Sequence, residues 1–289
     1  MNIVTSRFIF NLNHLFLFIQ STKINGNRIK SAKNIELKDA QLLYRMALFN
    51  KETNILITDP SQGLIHVCDL NGNLLKSINP DESLQQPVGI MCVGIRKNGI
   101  EEIFVSDNKT KTVFVFYQDF NSTKEILNNL EYSNYLTVDF ENGILYCLHL
   151  FENDITLWNV NDANLIQKLK IERPSSLRIS ENKIYIVSAV DFKANLKERQ
   201  LIIVEKGNYI SVLNKSNNKL ISEIQFDDWF DPQSLHISSD GDIYTIAYEL
   251  DKNNETWSKN RFLFIIDSTS CQIKQKIELK KLEFIFLIY

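Results

Sequence analysis

Residues able to do chemistry are few and scattered in this chain of 289 residues. It holds four histidines, of which His66, His149 and His236 recur widely enough to suggest a shared axis. A zinc site needs its ligands within about 2 Å of one ion. The strand pattern puts these three on the third, second and first strands of their units, at different depths, which argues against convergence. His66 and His236 then read as polar residues on strand faces, and His149 as a substitute for a turn acid. Carboxylate pairs such as Asp227-Asp228 and Glu101-Glu102 are sequence neighbours. On a strand, neighbours point to opposite faces, so they do not form an acid/base pair. The four cysteines, Cys68, Cys92, Cys147 and Cys271, are far apart and mostly inside apolar runs. They read as buried thiols rather than a disulfide or metal framework. There is no GxSxG, no phosphate-cradling glycine loop and no HExxH. The expectation is no catalytic residue, no metal ligand and no cofactor.

What remains is binding. Net charge is −3 and the pI about 5.9, so bulk electrostatics favours neither nucleic acid nor an anionic membrane. The charged insertion Asp191–Gly207 carries Lys193, Lys197 and Arg199 and could dock a partner. Trp229, Phe230 and Trp257 fall in expected loops. Exposed there, they would be interaction hot spots; the alternative is that they cap the ends of strands. Lysines and arginines also gather at Lys23, Arg28, Lys30 and Lys33, which leaves RNA as a lesser option.

The elements that must position these residues are strands. Pro87–Phe116 contains three short apolar runs joined by turns too tight to cross a sheet, which makes an antiparallel meander. Its middle run, Ile103-Phe104-Val105-Ser106-Asp107, is matched by Ile55–Asp59, Leu145–His149, Ile184–Ser188 and Ile243–Ala247. Its opening, Pro87-Val88-Gly89-Ile90, is matched by Pro174–Leu177 and Pro232–Leu235. A spacing of about 40–60 residues with four strands per unit is the signature of a β-propeller. Asp107 thus holds a repeat position and reads as a turn former, not a catalytic acid.

The run Pro-x-Gly-apolar, then three apolar residues and an acid, then a second alternating strand resembles the NHL repeat of six-bladed propellers. Pro87, Gly89 and Asp107 carry the resemblance, with Asp59 as a second acid. It is convincing over roughly Asn50–Tyr117. Elsewhere His149, Ser188 and Ala247 replace the acid, and Ser176 and Ser234 the glycine. The resemblance implies a protein- or peptide-binding scaffold. The family also includes metal-using lyases with histidines on the central channel, and RNA-binding propellers with a basic face.

The expected fold is therefore one all-β domain over 1–289, a six-bladed β-propeller of four-stranded antiparallel blades. Its blades would span about 5–37 plus 282–289, 41–79, 87–129, 133–171, 173–226 and 231–280. The apolar C-terminal segment Leu282–Tyr289 is expected to close the ring by pairing with the N-terminal strands, because an open edge invites aggregation. The rival is a fragment whose ends are not native structure. The N-terminal run is too short and polar to span a bilayer and no small-x-small cleavage site follows it, so a strand pair is expected there, with a degenerate signal peptide or a mispredicted first exon as the alternative. The expected protein is a cytoplasmic monomer that binds a protein or peptide through loops on one face, without a membrane. A channel-metal hydrolase or lyase is the alternative, and RNA binding a second one.

Overall fold

The computed structural model describes residues 14–19, 32–36, 46–49, 53–69, 72–79, 82–93, 101–117, 120, 123–127, 130, 133, 135–149, 152–179, 183–188, 191–195, 200–205, 209–227, 230–237, 241–251, 256–278 and 285–288. They form twenty-five β-strands. Strands β1 (His14–Ile19) and β2 (Ala32–Glu36) belong to a terminal sheet. Blade A then runs β3 (Met46–Phe49), β4 (Asn54–Asp59), β5 (Leu64–Asp69) and β6 (Leu74–Ile78). Blade B runs β7 (Pro87–Val93), β8 (Glu102–Asp107), β9 (Thr112–Tyr117) and β10 (Thr123–Leu127). Blade C runs β11 (Tyr135–Asp139), β12 (Ile144–His149), β13 (Asp154–Asn159) and β14 (Leu165–Lys170).

Blade D opens with β15 (Pro174–Ile179) and β16 (Lys183–Ser188). An inserted hairpin follows, β17 (Asp191–Asn195) and β18 (Gln200–Glu205), before β19 (Tyr209–Asn214) and β20 (Leu220–Gln225) complete the blade. Blade E is β21 (Phe230–Ile237), β22 (Ile243–Asp251), β23 (Thr256–Ile266) and β24 (Ile273–Glu278). Strand β25 (Ile285–Ile288) returns to the terminal sheet, whose order is β2-β1-β25.

The expected six four-stranded blades are thus corrected to five. A three-stranded sheet stands between the last and the first of them. Strand β25 pairs with β1 as expected of the C-terminal segment, but in parallel, Phe16 opposite Ile285. Neighbouring innermost strands touch in the order β3, β7, β11, β15, β21, β25 and back to β3.

Each blade buries both faces, one against each neighbour, so its second strand reads as a continuous apolar run rather than an alternating one. Leu56, Ile65 and Val67 of blade A pack on Ile103, Val105, Phe114 and Phe116 of blade B. Phe104, Val113 and Val115 face Leu136, Leu145 and Cys147 of blade C. Tyr146, Leu148 and Ile155 face Leu177, Ile184 and Ile186 of blade D. Tyr185, Val187 and Val212 face Leu235, Ile243 and Phe264 of blade E. Three of the innermost strands, β7, β15 and β21, share one irregularity: a bulge directly after Pro87, Pro174 and Pro232. A proline offers no N–H to the ladder, and a bulge absorbs that missing bond.

Four antiparallel strands fix which loops share a face of the ring. The loop between the second and third strands opens on the same side as the connection to the next blade. The other two hairpins open on the opposite side. The outermost strands carry the exposed large apolar residues, Leu74, Leu75, Leu165, Ile166, Leu220, Ile221 and Ile273. In blades A, C and D the second member of the pair, Leu75, Ile166 or Ile221, is the extra residue of a bulge, as Lys274 is in blade E. Such bulges blunt an edge strand against pairing with another chain.

Candidate interaction surface

The repeat position at the end of each second strand decides what its loop can do. Asp107 is 1% exposed, and its carboxylate is committed twice. One oxygen accepts from the amides of Lys109 and Thr110 and from the Thr110 hydroxyl, closing the loop to β9. The other accepts from the amides of Gln85 (2.8 Å) and Gln86 (2.6 Å), holding the connection that enters the blade. Gly89 completes this joint. Its amide donates to the Ser106 hydroxyl, and a Cβ added at Gly89 would lie 2.5 Å from that oxygen. Ser106 in turn donates to the Ser133 carbonyl at the start of blade C. Asp59 does the same local work in blade A, accepting from the amides of Ser61 and Gln62. Both acids are turn formers.

The histidines do not converge among the described residues. His66 is buried between Ser77 Oγ at 2.8 Å and Asp59 Oδ2 at 3.4 Å, all within blade A. This Ser–His–Asp set spans β4, β5 and the edge strand β6, and its acid already holds a turn; it has the residue types of a hydrolase triad, but His66 and Asp59 are buried and committed within the blade. His149 Nε2 meets Thr156 Oγ1 at 2.8 Å within blade C, where Trp158 also donates to that oxygen. The position of His236 is on β21, the first strand of blade E. Among the described residues no three His, Cys, Asp or Glu side chains gather as a metal site. Cys68, Cys147 and Cys271 are free thiols. Burial pushes the Cys68 thiol up to about 12 and raises Cys147 as well, which keeps both protonated and unreactive.

Where the acid is replaced by Ser188 or Ala247, the loop between the second and third strands grows. After Ser188 it becomes the β17–β18 hairpin, in register from Phe192 opposite Ile203 to Asn195 opposite Gln200. After Ala247, β22 and β23 extend beyond the blade to nine and eleven residues, with Leu250 opposite Trp257 and Asp251 opposite Thr256. Arg261 stacks over the Tyr248 ring at 5.0 Å, and Asn260 donates to Glu249 at 2.7 Å, bracing the base of this extension. Strand β18 lies against β23, which brings the inserted hairpin of blade D up to blade E.

Of the residues singled out from sequence, Lys193, Phe230 and Trp257 are on described strands of blades D and E. Lys193 is on β17, opposite Ile202. Trp257, expected in a loop, is instead on the β23 extension. Lys197, Arg199 and Trp229 lie outside the described residues. Phe230, also expected in a loop, opens β21 and is 5% exposed. It packs edge-on against Phe262 and Phe264 at 5.3 Å, with Lys276 4.0 Å above its ring. It caps the strand ends rather than facing a partner. Sequence reading missed that the β22–β23 hairpin is long. The signal was present: the alternating run continues past Ala247 as Tyr248-Glu249-Leu250 and resumes at Trp257.

No protein-family model matches the chain, and no curated protein matches it by sequence. Solved structures do match in shape. A chain of the nidogen–laminin complex superposes with a TM-score of 0.62 at 14% identity, over 89% of this chain and 88% of that one. Hydrazine synthase of Kuenenia stuttgartiensis gives 0.61 at 11% identity, over 89% of this chain and 69% of that one. A Bacteroides caccae protein of unknown function gives 0.60 at 13% identity, over 86% and 85%. At these identities the likeness establishes the β-propeller fold alone. No helix among the described residues is long and apolar enough to cross a membrane.

Proposed function

We propose that the chain is a non-enzymatic, NHL-like interaction propeller that binds a protein or peptide segment through the paired hairpins of blades D and E. The observation that carries this reading is the adjacency of β18 and β23, which belong to the two blades whose loop between second and third strands has grown into a long hairpin. Loops raised on a rigid scaffold are where binding residues concentrate. The nidogen–laminin likeness supports it only as an example of this fold in a protein–protein complex. The interlocking of Pro87, Gly89, Ser106 and Asp107 supports the NHL-like comparison. A cytoplasmic, monomeric protein is the accompanying proposal, supported by the three unpaired thiols.

A displayed random-peptide library panned on the purified protein tests this reading. The variant for counter-selection replaces residues 191–205 by a short Asn-Gly turn. Enriched peptides are expected to bind the natural chain at micromolar concentrations and the shortened variant at least tenfold more weakly. Equal binding to both would remove the hairpins from the function. Stoichiometric zinc or calcium in the purified protein would instead move the reading to a channel-metal enzyme. Salt-dependent retention of single-stranded RNA would move it to the nucleic-acid branch.

A further inference from the structure

The third strand of each blade places one side chain at the same point between blades. It is opposite Ile57, Val105, Cys147, Ile186 and Thr245 of the second strands. The occupants are His66, Phe114, Thr156, Ser211 and Phe264. In blade B the position is filled by Phe114, stacked on Phe116, and in blade E by Phe264, packed edge-on against Phe226. In blade D it is Ser211, the smallest of the five. Between blades C and D a cleft of about 350 Å³ opens at this place, with Tyr209, Ser211 and Leu213 as its floor. Leu169 and Ile171 form one wall and Leu220 the other. That volume is at the small end of ligand pockets, roughly 300–1,000 Å³. The cleft is the imprint of a missing aromatic ring.

Its polar border gives the sign of an occupant. Glu172 and Glu223 line the cleft, with Glu223 Oε2 accepting a hydrogen bond from the Gln225 side-chain amide at 3.3 Å. The cation at the border, Lys170, is shared with the buried Asp154 carboxylate at 3.4 Å. The Asn218 amide oxygen is buried without a hydrogen-bond partner and lines the same cleft. The cleft runs alongside β19, a six-residue strand, and so matches an extended segment.

We propose that this cleft seats a phenylalanine side chain from an extended segment of a partner protein, with a lysine or arginine on either side of the ring. The phenylalanine fills the space that Phe114 and Phe264 fill from within. The flanking cations meet Glu172 and Glu223, and a backbone amide of the segment donates to Asn218. The site is separate from the blade D and E hairpins, so it does not depend on them.

The probe is a fluorescein-labelled peptide, Gly-Ser-Lys-Phe-Lys-Thr-Gly-Ser, titrated by fluorescence polarisation. Its partners are the same peptide with Ser for Phe, and with Glu for both Lys. Binding below 1 mM is expected, at least tenfold weaker with Ser for Phe and several-fold weaker with Glu for Lys. Ser211→Phe, which installs the residue of blades B and E, is expected to abolish binding while unfolding at or above the natural temperature. Should that variant not fold, the surface variant Glu172→Lys with Glu223→Lys is expected to reverse the preference between the Lys and Glu peptides. Equal binding of the Phe and Ser peptides, no binding by any peptide at 1 mM, or unchanged binding in both variants would each overturn the proposal. Loss of residues 191–205 is expected to leave this binding intact, which separates its failure from failure of the hairpin site.

Discussion

Blades B and D are built on the same four strands, yet they spend their polar and large residues differently. In blade B, Asp107 pins its own loop and the incoming connection, and Phe114 fills the gap to blade A. In blade D, Ser188 stands in place of the acid and Ser211 in place of the ring. The Ser188 hydroxyl is buried without a hydrogen-bond partner. The loop that follows grows into a hairpin, and the space beside Ser211 stays open. The comparison shows how a repeat fold is made specific: a closed ring tolerates a blade with its pins and fillers removed, and those removals create surface.

Exchanging residues between the two blades breaks or sharpens that contrast. Phe114→Ser puts blade D's residue into blade B's packed interface, with an expected cost of about 3–5 kcal/mol from lost burial and a cavity. Urea unfolding would show it as a lower midpoint; a cost below about 1 kcal/mol would mean the interface relaxes freely. Asp107→Ser removes the acceptor of several amides and is expected to cost about 3 kcal/mol, since bonds to a charged group are worth about 1.5–3 each and are not additive. Ser188→Ala, at the equivalent position, is expected to change stability by no more than about 0.5 kcal/mol. Equal effects at the two sites would show that position 107 holds no joint. Thr245 in blade E has a buried hydroxyl without a partner, so Thr245→Val is expected to stabilise by about 1 kcal/mol in the same assay.

The smallest effect is one that varies with pH. Amides of Ser270 and Thr269 and the ammonium of Lys274 hold the Asp267 carboxyl well below its ordinary range. A depressed carboxylate contributes stability above its unfolded value, near about pH 4, and loses it as pH falls toward the folded value. Asp267→Asn should therefore lower stability at neutral pH, with the difference from the natural chain shrinking as pH falls below about 4. A difference of the same size at pH 7 and in acid would show a different role for this residue.

The fold was readable because both faces of every second strand are buried. Ile103-Phe104-Val105 and its four counterparts leave continuous apolar runs at a fixed interval, and Asp107 was recognisable as a turn residue by its place in them. The count of blades was not readable in the same way. The terminal sheet draws on β1, β2 and β25, whose short runs fit three strands as well as four. The candidate surface was half legible. Composition picked out Lys193 and Trp257, but loop length is set by pairing beyond the blade, which depends on partners across the turn. Phe230 was misplaced because an aromatic beside a polar pair reads as exposed, while its burial comes from Phe262 and Phe264 more than thirty residues away. The cleft was hidden altogether. Ser211 is an unremarkable strand residue until the five third strands are laid in register.

The pairing of β25 with β1 also sets the order of assembly. Each four-stranded blade is made of residues close in sequence and can zip up as the chain is synthesised, whereas the β1–β25 ladder joins residues from opposite ends. Such a long-range contact pays its loop entropy late. The growing chain would accumulate as an arc of finished blades, with the flanks of blades A and E open until β25 arrives. A ribosome stalled before Ile285 would hold that arc open, and chaperones would meet the protein there.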